Sequence, residues 1–227
     1  MKAMLLAAGR GERFRPLTDS VPKALVEVAG KPLIAWHLER LAAAGCREAV
    51  INVSHLGERI VERLGDGGRF GLRVAYSREA ERLETAGGIA QALHLLGREP
   101  FLLCNADIYC EFDTAPLLGM SLGARLAHLV LVPNPAHRQR GDFGLVSGEV
   151  KGNEGPRYTY AGIAVVSPRL VESVTPGEKA PLAPLLYAAA DRGLMSGEVY
   201  RGLWQDVGTR ERLAELESLL ESRHEHR

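Results

Sequence analysis

The sequence has few cysteines, no excess of charge and no long apolar run. Its three cysteines, Cys46, Cys104 and Cys110, are odd in number and include no C-x-x-C pair, so a disulfide framework or zinc ribbon is not expected and free thiols are predicted. Lys plus Arg and Asp plus Glu number 28 each, which leaves no global positive field for nucleic acid or membrane. No stretch reaches the roughly 20 apolar residues of a membrane span. We therefore expect a cytoplasmic protein without nucleic-acid or membrane partners.

What the sequence does have is a regular alternation of short apolar runs and helical patterns. With 227 residues, of which 46% are hydrophobic and 25% charged, the chain suits one globular domain with a sizeable core. This rhythm predicts an α/β fold that is Rossmann-like and three-layered, with a mostly parallel or mixed sheet and helices on both faces. The tail from Ser222 to Arg227 is expected to fray. The predicted strands cover residues 3–8, 49–53, 72–76, 101–104, 128–132, 143–146, 158–166 and 199–204, and the predicted helices cover 32–44, 58–64, 88–96, 181–192 and a last one capped by Thr209.

A glycine- and arginine-rich loop follows the first predicted strand. Gly9 and Gly11 let backbone N–H groups approach an anion closely, at the edge of the sheet where open α/β folds bind ligands. A dinucleotide fingerprint would need a small residue at Phe14, and a P-loop would need Gly-Lys before Ser or Thr, so neither motif applies. The loop predicts a phosphate site of another kind. Its positive charge comes from Arg10, Arg13 and Arg15.

The loop and several later motifs resemble the sugar nucleotidyltransferases, also called NDP-sugar pyrophosphorylases. The family signature reads L-A-A-G-x-G-x-R-x-x-P-L-T, then P-K-[PA]-L, and residues 6–18 and 22–25 match every position. Ala106 stands where the family more often has glycine. The resemblance implies a fold of the nucleotide-diphospho-sugar transferase type in one domain, residues 1–227, with a nucleotide-binding half (1–110) and a sugar-phosphate-binding half (111–227). The likeness continues at residues 84–88, 104–107, 141–143 and 204–209.

Two aspartates and a lysine are the candidates for metal and phosphate chemistry. Asp107 follows the apolar run at 101–104, and Asp206 lies about a hundred residues later. If both strands end at the same edge, the two carboxylates can share one Mg²⁺, which usually binds through one or two carboxylates plus substrate phosphates. The alternative for Asp107 is a turn or helix cap, the alternative for Asp206 is an acidic residue at a helix N-terminus, and the alternative for Lys23 is a solvated surface position. The resemblance favours function, because all three match the family's metal and α-phosphate positions.

The resemblance implies transfer of a nucleotidyl group with Mg²⁺ as cofactor. An oxygen of a sugar 1-phosphate attacks the α-phosphorus of a nucleoside triphosphate in line, and pyrophosphate leaves. Positioning and charge neutralisation then do the catalytic work, without a general base. The implied catalytic residues are Arg13, Lys23, Asp107 and Asp206. The implied nucleotide-binding residues are Ala7, Ala8, Gly9, Gly11, Glu12, Arg13, Lys23, Gly88 and Asn105. The implied sugar-binding residues are Asn105, Gly141, Asp142, Glu154, Thr159 and Tyr160.

The resemblance favours UTP and N-acetylmuramate 1-phosphate as the substrates, giving UDP-N-acetylmuramate and pyrophosphate. Glucose-1-phosphate thymidylyl transfer and mannose-1-phosphate guanylyl transfer are the alternatives within the family. Residues 138–140, Arg-Gln-Arg, either attract an acceptor's carboxylate or form a solvated loop. A non-catalytic nucleotide-sugar sensor is the rival outside the enzymes, and it would be expected to lose Lys23 or a metal aspartate. The expected partners are small molecules only, and the expected state is a monomer.

Overall fold

Thirteen strands and six helices make up the computed structural model, which describes residues 1–225. The strands are β1 (Ala3–Leu6), β2 (Glu27–Val28), β3 (Lys31–Pro32), β4 (Glu48–Val53), β5 (Arg73–Arg78), β6 (Phe101–Asn105), β7 (Ile108–Cys110), β8 (Ala127–Val132), β9 (Phe143–Val146), β10 (Glu149–Lys151), β11 (Arg157–Val166), β12 (Met195–Val199) and β13 (Trp204–Asp206). The helices are α1 (Leu33–Ala43), α2 (Gly57–Leu64), α3 (Glu84–Leu96), α4 (Ala115–Leu118), α5 (Leu182–Asp191) and α6 (Arg210–Glu225).

Nine of the strands form one mixed sheet in the order β5-β4-β1-β6-β11-β8-β12-β10-β9. The four strands β5, β4, β1 and β6 are parallel, β11 runs antiparallel to β6 and β8, and β12 is parallel to β8. The predicted mixed α/β sheet is therefore confirmed. Two separate ribbons, β2–β3 and β7–β13, lie outside this sheet. No helix within residues 1–225 is long and apolar enough to cross a membrane.

Each face of the sheet is covered by its own apolar core, as the apolar runs of the sequence predict. Along β1, Ala3 and Leu5 join the core beneath α1 and α2, whereas Met4 joins the core beneath α3 and α5. This alternation follows from the two-residue period of a strand. A strand buried on both faces needs apolar residues at every position, which explains the unbroken run. The free thiols Cys46, Cys104 and Cys110 lie in the first core, and burial raises the pKa of all three.

A third apolar cluster lies beside the sheet and holds the phosphate loop. Phe14 is fully buried there, together with Tyr109 of β7 and Val207 just after β13. Helix α6 closes the cluster with Leu216 and Leu220. Thr209 accepts a hydrogen bond from the Arg212 amide at 3.4 Å, so the predicted cap of this helix is confirmed. The cluster therefore ties the glycine-rich loop to the C-terminal helix.

Several boundaries differ from the sequence predictions, and the three largest differences concern residues 199–204, α3 and α6. Residues 199–204 are not one strand, because β12 ends at Val199 and β13 begins at Trp204. The Met-Ser-Gly-Glu-Val stretch of β12 carries a weak strand pattern, and its pairing with β8 determines its conformation. Helix α3 begins at Glu84, four residues before the predicted start at residue 88, so the motif at 84–88 forms its first turn. Helix α6 continues to Glu225, so Ser222 is helical, and residues 226–227 of the predicted frayed tail lie outside the described residues.

Candidate active site

Two adjoining cavities open beyond the carboxyl ends of the central parallel strands. The first is lined by residues 6–9 after β1, by Asn52 of β4 and by residues 105–107 after β6. The second is lined by residues 9–13 and by Gly208. Both are lined by Gly9, Lys23, Arg82 and Asp107, so the two cavities meet at these four residues. The glycine-rich loop thus lies at the sheet edge that its sequence predicts.

Gly11 fixes the shape of the loop. Its φ of +64° lies in the left-handed region that favours glycine, and an added Cβ would lie 2.8 Å from Thr18 Cγ2 and 3.0 Å from Lys23 Cβ. The Thr18 hydroxyl donates to the Gly11 carbonyl at 2.7 Å, and the Phe14 amide donates to the same oxygen at 2.8 Å. The loop therefore rests directly on the stem of Lys23.

Lys23 and Asp107 form an ion pair where the two cavities meet. Lys23 Nζ lies 2.5 Å from Asp107 Oδ2, and the lysine side chain is only 11% exposed. A short turn from Lys23 to Leu25, begun by Pro22, holds the lysine in place. Such charge-assisted hydrogen bonds are stronger than neutral ones. The lysine is therefore a fixed positive charge at the mouth of the site, not a solvated surface residue.

Asp206 is brought beside Asp107 by the β7–β13 ribbon. Asp206 pairs with Ile108, and the Val207 amide donates to the Asp107 carbonyl at 2.9 Å. Arg212 Nη1 donates to Asp206 Oδ1, and His137 Nε2 lies 3.3 Å from Oδ2. Burial would raise the pKa of Asp206, but the hydrogen bond and charge of Arg212, aided by His137, hold it below its ordinary value. Asp206 is therefore a carboxylate at neutral pH.

The two aspartates fit a magnesium ion. The described residues contain no cluster of three or more His, Cys, Asp or Glu side chains that would form an all-protein metal site. One or two carboxylates are what Mg²⁺ usually takes from a protein, since substrate phosphates and water supply its other ligands. Asp107 directly precedes β7 and Asp206 is the last residue of β13, so the antiparallel pairing brings their backbones together at one end of the ribbon, as the sequence hypothesis of a shared cation requires.

A buried network that the sequence analysis missed supports the first cavity. Asn52 Oδ1 accepts the Ala7 amide at 2.8 Å, and Asn52 Nδ2 donates to Glu79 Oε1 at 2.6 Å. Glu79 Oε2 accepts the Leu83 amide at 3.0 Å. Glu79 lines the cavity although it is only 5% exposed. Gly88 lies behind this network, because an added Cβ would be 2.6 Å from Glu79 Oε1.

Arg82 is a second residue that the sequence analysis missed. It is exposed and lines both cavities, and among the described residues its guanidinium makes no hydrogen bond or ion pair. Arg10 and Arg13 of the loop are likewise without a protein acceptor in this part of the chain. The same cavity is lined by Glu12 and Asp107, but none of the three arginines forms an ion pair with either of them. Three cations without an ion pair at one cavity are suited to a polyanionic ligand. The proximity of Arg82 to the motif at 84–88 was the available sequence clue.

The predicted sugar residues fall into two groups. Asn105 lines the first cavity, and Gly162 leaves space for it, since a Cβ there would lie 2.8 Å from Asn105 Nδ2. The others line neither cavity. Asp142 Oδ2 accepts a hydrogen bond from the Tyr160 amide at 2.8 Å and lies 3.2 Å from Arg138 Nη1. Thr159 is fully buried, whereas Glu154 is exposed. Gly141 lies against the Tyr158 carbonyl.

Comparison with known proteins agrees with this geometry. Residues 2–156 match the family model described as nucleotidyl transferase. The chain is 50% identical to an N-acetylmuramate alpha-1-phosphate uridylyltransferase of Neisseria meningitidis serogroup B, over 96% of this chain and 98% of that one. A protein of the same name from Caulobacter vibrioides is 36% identical over 91% of both chains. A UDP-glucose pyrophosphorylase solved with UDP-glucose shares the fold, with a TM-score of 0.77, 19% identity and 98% of each chain covered. The chain belongs to the nucleotidyl transferase family.

Proposed function

We propose that this chain transfers a uridylyl group from UTP to N-acetylmuramate 1-phosphate, forming UDP-N-acetylmuramate and pyrophosphate. The observation that supports this proposal most directly is the Lys23–Asp107 ion pair where the two cavities meet. The ends of β1 and β6 line the first cavity, and arginines of the glycine-rich loop line the second. That layout suits a nucleoside triphosphate whose α-phosphate lies at the junction. The 50% identity to an N-acetylmuramate alpha-1-phosphate uridylyltransferase supports this choice of substrates over thymidylyl or guanylyl transfer.

The residues of the site act by positioning two anions and lowering the charge between them. Lys23 contacts the α-phosphate and the attacking sugar phosphate, whose oxygen is already ionised. Arg13 and the amides around Gly11 hold the β- and γ-phosphates, which leave as pyrophosphate. Held in line, the two reactants gain the advantage of proximity, and the fixed cations stabilise the charge that develops.

Asp107 and Asp206 would hold one Mg²⁺. When bound, the ion supplies charge neutralisation at the reacting phosphates. The Lys23 ammonium, already beside Asp107, adds a second positive charge at the same place. Because Asp206 is ionised at neutral pH, it can bind a cation without losing a proton.

Glu79 is placed to read the base. It lines the first cavity, and its Oε1 and Oε2 accept one hydrogen bond each, from Asn52 Nδ2 and the Leu83 amide. A carboxylate oxygen can accept a second hydrogen bond. The ring N–H of uracil is a matching donor.

Residues 1–110 would thus bind the nucleotide and residues 111–227 the sugar phosphate. We also propose that the protein works as a cytoplasmic monomer in peptidoglycan recycling.

The test is pyrophosphate release by purified protein with Mg²⁺, crossing UTP, dTTP, GTP and CTP against the 1-phosphates of N-acetylmuramate, N-acetylglucosamine, glucose and mannose. We expect the highest kcat/KM for UTP with N-acetylmuramate 1-phosphate. A clear preference for another pair would retain the transfer reaction and contradict the substrates. Release with no pair would contradict the reaction itself and favour the nucleotide-sugar sensor.

Gly88→Ala is expected to raise the KM for UTP about tenfold or more with little change in kcat. The new methyl would lie 2.6 Å from Glu79 Oε1 and 2.8 Å from Asn52 Nδ2, so the bond between these side chains must break, at a cost typical of a buried hydrogen bond. Steady-state kinetics with varied UTP measure the effect. Gly119→Ala is the matched control, because a Cβ there meets nothing within 4 Å. An unchanged KM in Gly88→Ala would show that the network does not shape the nucleotide site.

A further inference from the structure

Arg212 is placed to control access of a cation to Asp206. Its Nη1 donates to Asp206 Oδ1, while His137 Nε2 lies 3.3 Å from Oδ2, so each carboxylate oxygen has a cationic or polar partner. The arginine side chain is only 15% exposed and the aspartate 28%. A guanidinium in that position repels a divalent cation that approaches the same carboxylate. A metal ion at Asp206 would therefore have to displace Arg212.

The structure also shows where the displaced guanidinium would find another partner. A Cβ on Gly208 would lie 2.9 Å from Arg212 Nη1 and 3.1 Å from Arg13 Nη2, so both guanidinium groups flank the same backbone atom. Arg13 has no acceptor among the described residues. Two neighbouring guanidinium groups repel each other unless an anion lies between them. Gly208 lines the second cavity with the glycine-rich loop, so that anion would be a phosphate.

We propose that Arg212 is a positioning residue that exchanges partners. Without metal it holds Asp206, and when a divalent cation takes Asp206 it moves to join Arg13 on the phosphates of the leaving pyrophosphate. The proposal rests on the metal role proposed for Asp206. It couples the two binding events, since metal binding frees the arginine for phosphate and phosphate binding frees the aspartate for metal.

The coupling predicts two effects of opposite direction for Arg212→Met. Removal of the competing guanidinium should lower the Kd for Mn²⁺, measured without nucleotide, about tenfold. That factor corresponds to the typical free energy of a charge-assisted hydrogen bond. Loss of one phosphate contact should weaken inhibition by inorganic pyrophosphate by a similar factor. A merely structural role for Arg212 would weaken both. Arg212→Lys keeps the positive charge and should lie between the wild type and Arg212→Met in both measurements.

Mn²⁺ titration followed by electron paramagnetic resonance measures the first effect, and pyrophosphate inhibition of the transfer reaction measures the second. Arg210→Met is the matched control, because it removes the same charge from the same helix at an exposed position without contacting Asp206. We expect it to match the wild type in both measurements. Far-UV circular dichroism checks that each variant is folded, and Arg212→Lys serves as the test variant if Arg212→Met is not.

Asp206→Asn separates failure of this proposal from failure of the proposed metal site. If Asp206→Asn binds Mn²⁺ as well as the wild type does, Asp206 is not a metal ligand and both proposals fall. If Asp206→Asn loses Mn²⁺ but Arg212→Met gains none, the metal site stands and the partner exchange is wrong. Tighter Mn²⁺ binding in Arg212→Met that disappears in the Asp206→Asn/Arg212→Met double variant supports the exchange.

Discussion

Asp107→Asn is expected to lower kcat by about a thousandfold or more while the protein stays folded. The amide removes one proposed metal ligand and leaves Lys23, whose side chain is 11% exposed, without its anion. Loss of one preorganised electrostatic group at a reacting phosphate costs on the order of 10²–10³ in rate, and here two groups are affected together. The measurement is pyrophosphate release with saturating UTP and N-acetylmuramate 1-phosphate.

Asp113→Asn is the control for this change. It makes the same substitution six residues later, at an exposed position whose carboxylate only accepts the Ala115 amide at 2.9 Å, a role that asparagine also fills. It should keep wild-type kinetics. Activity of Asp107→Asn within tenfold of the wild type would remove Asp107 from the metal site. A Lys23→Met/Asp107→Asn double variant should lose less activity than the product of the two single losses, because the two side chains are in direct contact.

Much of this site could be predicted from sequence because its main parts lie in contiguous motifs. The strand 3–6, the glycine loop and Lys23 fall within the first 23 residues, and Asp107 directly follows an apolar strand. Strand ends of a parallel sheet meet at one edge, so local patterns sufficed to bring them together.

The missed residues act through contacts between distant parts of the chain. His137 lies in a turn from Ala136 to Arg138, and only the fold brings it to Arg212, 75 residues away. Arg212 carries no helix pattern that distinguishes it from the other arginines of α6. The Asn52–Glu79 bond likewise joins the end of β4 to the segment after β5. Pairings of this kind depend on strand order, which the sequence pattern alone does not determine.

In residues 111–227 the strands β8, β9 and β11 were predicted, whereas β10 and β12 were missed and the strand predicted at 199–204 was wrong. β9 and β11 lie where the apolar patterns predicted them, but fully buried Thr159 donates its hydroxyl to Asn134 at 3.0 Å and cannot face a ligand in this state. Alternation along a strand says which residues share a face, not which face meets the substrate. The sugar contacts of Gly141, Asp142, Glu154, Thr159 and Tyr160 stay predictions.

Phe14→Ala is expected to cost about 3–5 kcal/mol of unfolding free energy and also to weaken UTP binding. Phe14 was noted in the sequence only because it excludes a dinucleotide fingerprint. In the fold it is fully buried in the third cluster, where it joins the phosphate loop to Val207, next to Asp206, and to α6. Without the ring, the loop loses its anchor, so Arg13 and the amides near Gly11 are no longer held for phosphate. Urea denaturation measures the first effect and the KM for UTP the second.

Phe101→Ala separates anchoring of the loop from general loss of stability. Phe101 is equally buried, but it lies at the start of β6 in the core beneath α3 and α5, away from the strand end that lines the cavity. It should cost a similar free energy yet leave the KM for UTP unchanged at a temperature where both variants are folded. Phe14→Leu, which keeps most of the volume, should cost less than about 1.5 kcal/mol and largely restore binding. If Phe101→Ala raised the KM for UTP as much as Phe14→Ala does, the weaker binding would follow from lower overall stability. The third cluster would then not be what holds the phosphate loop in its binding conformation.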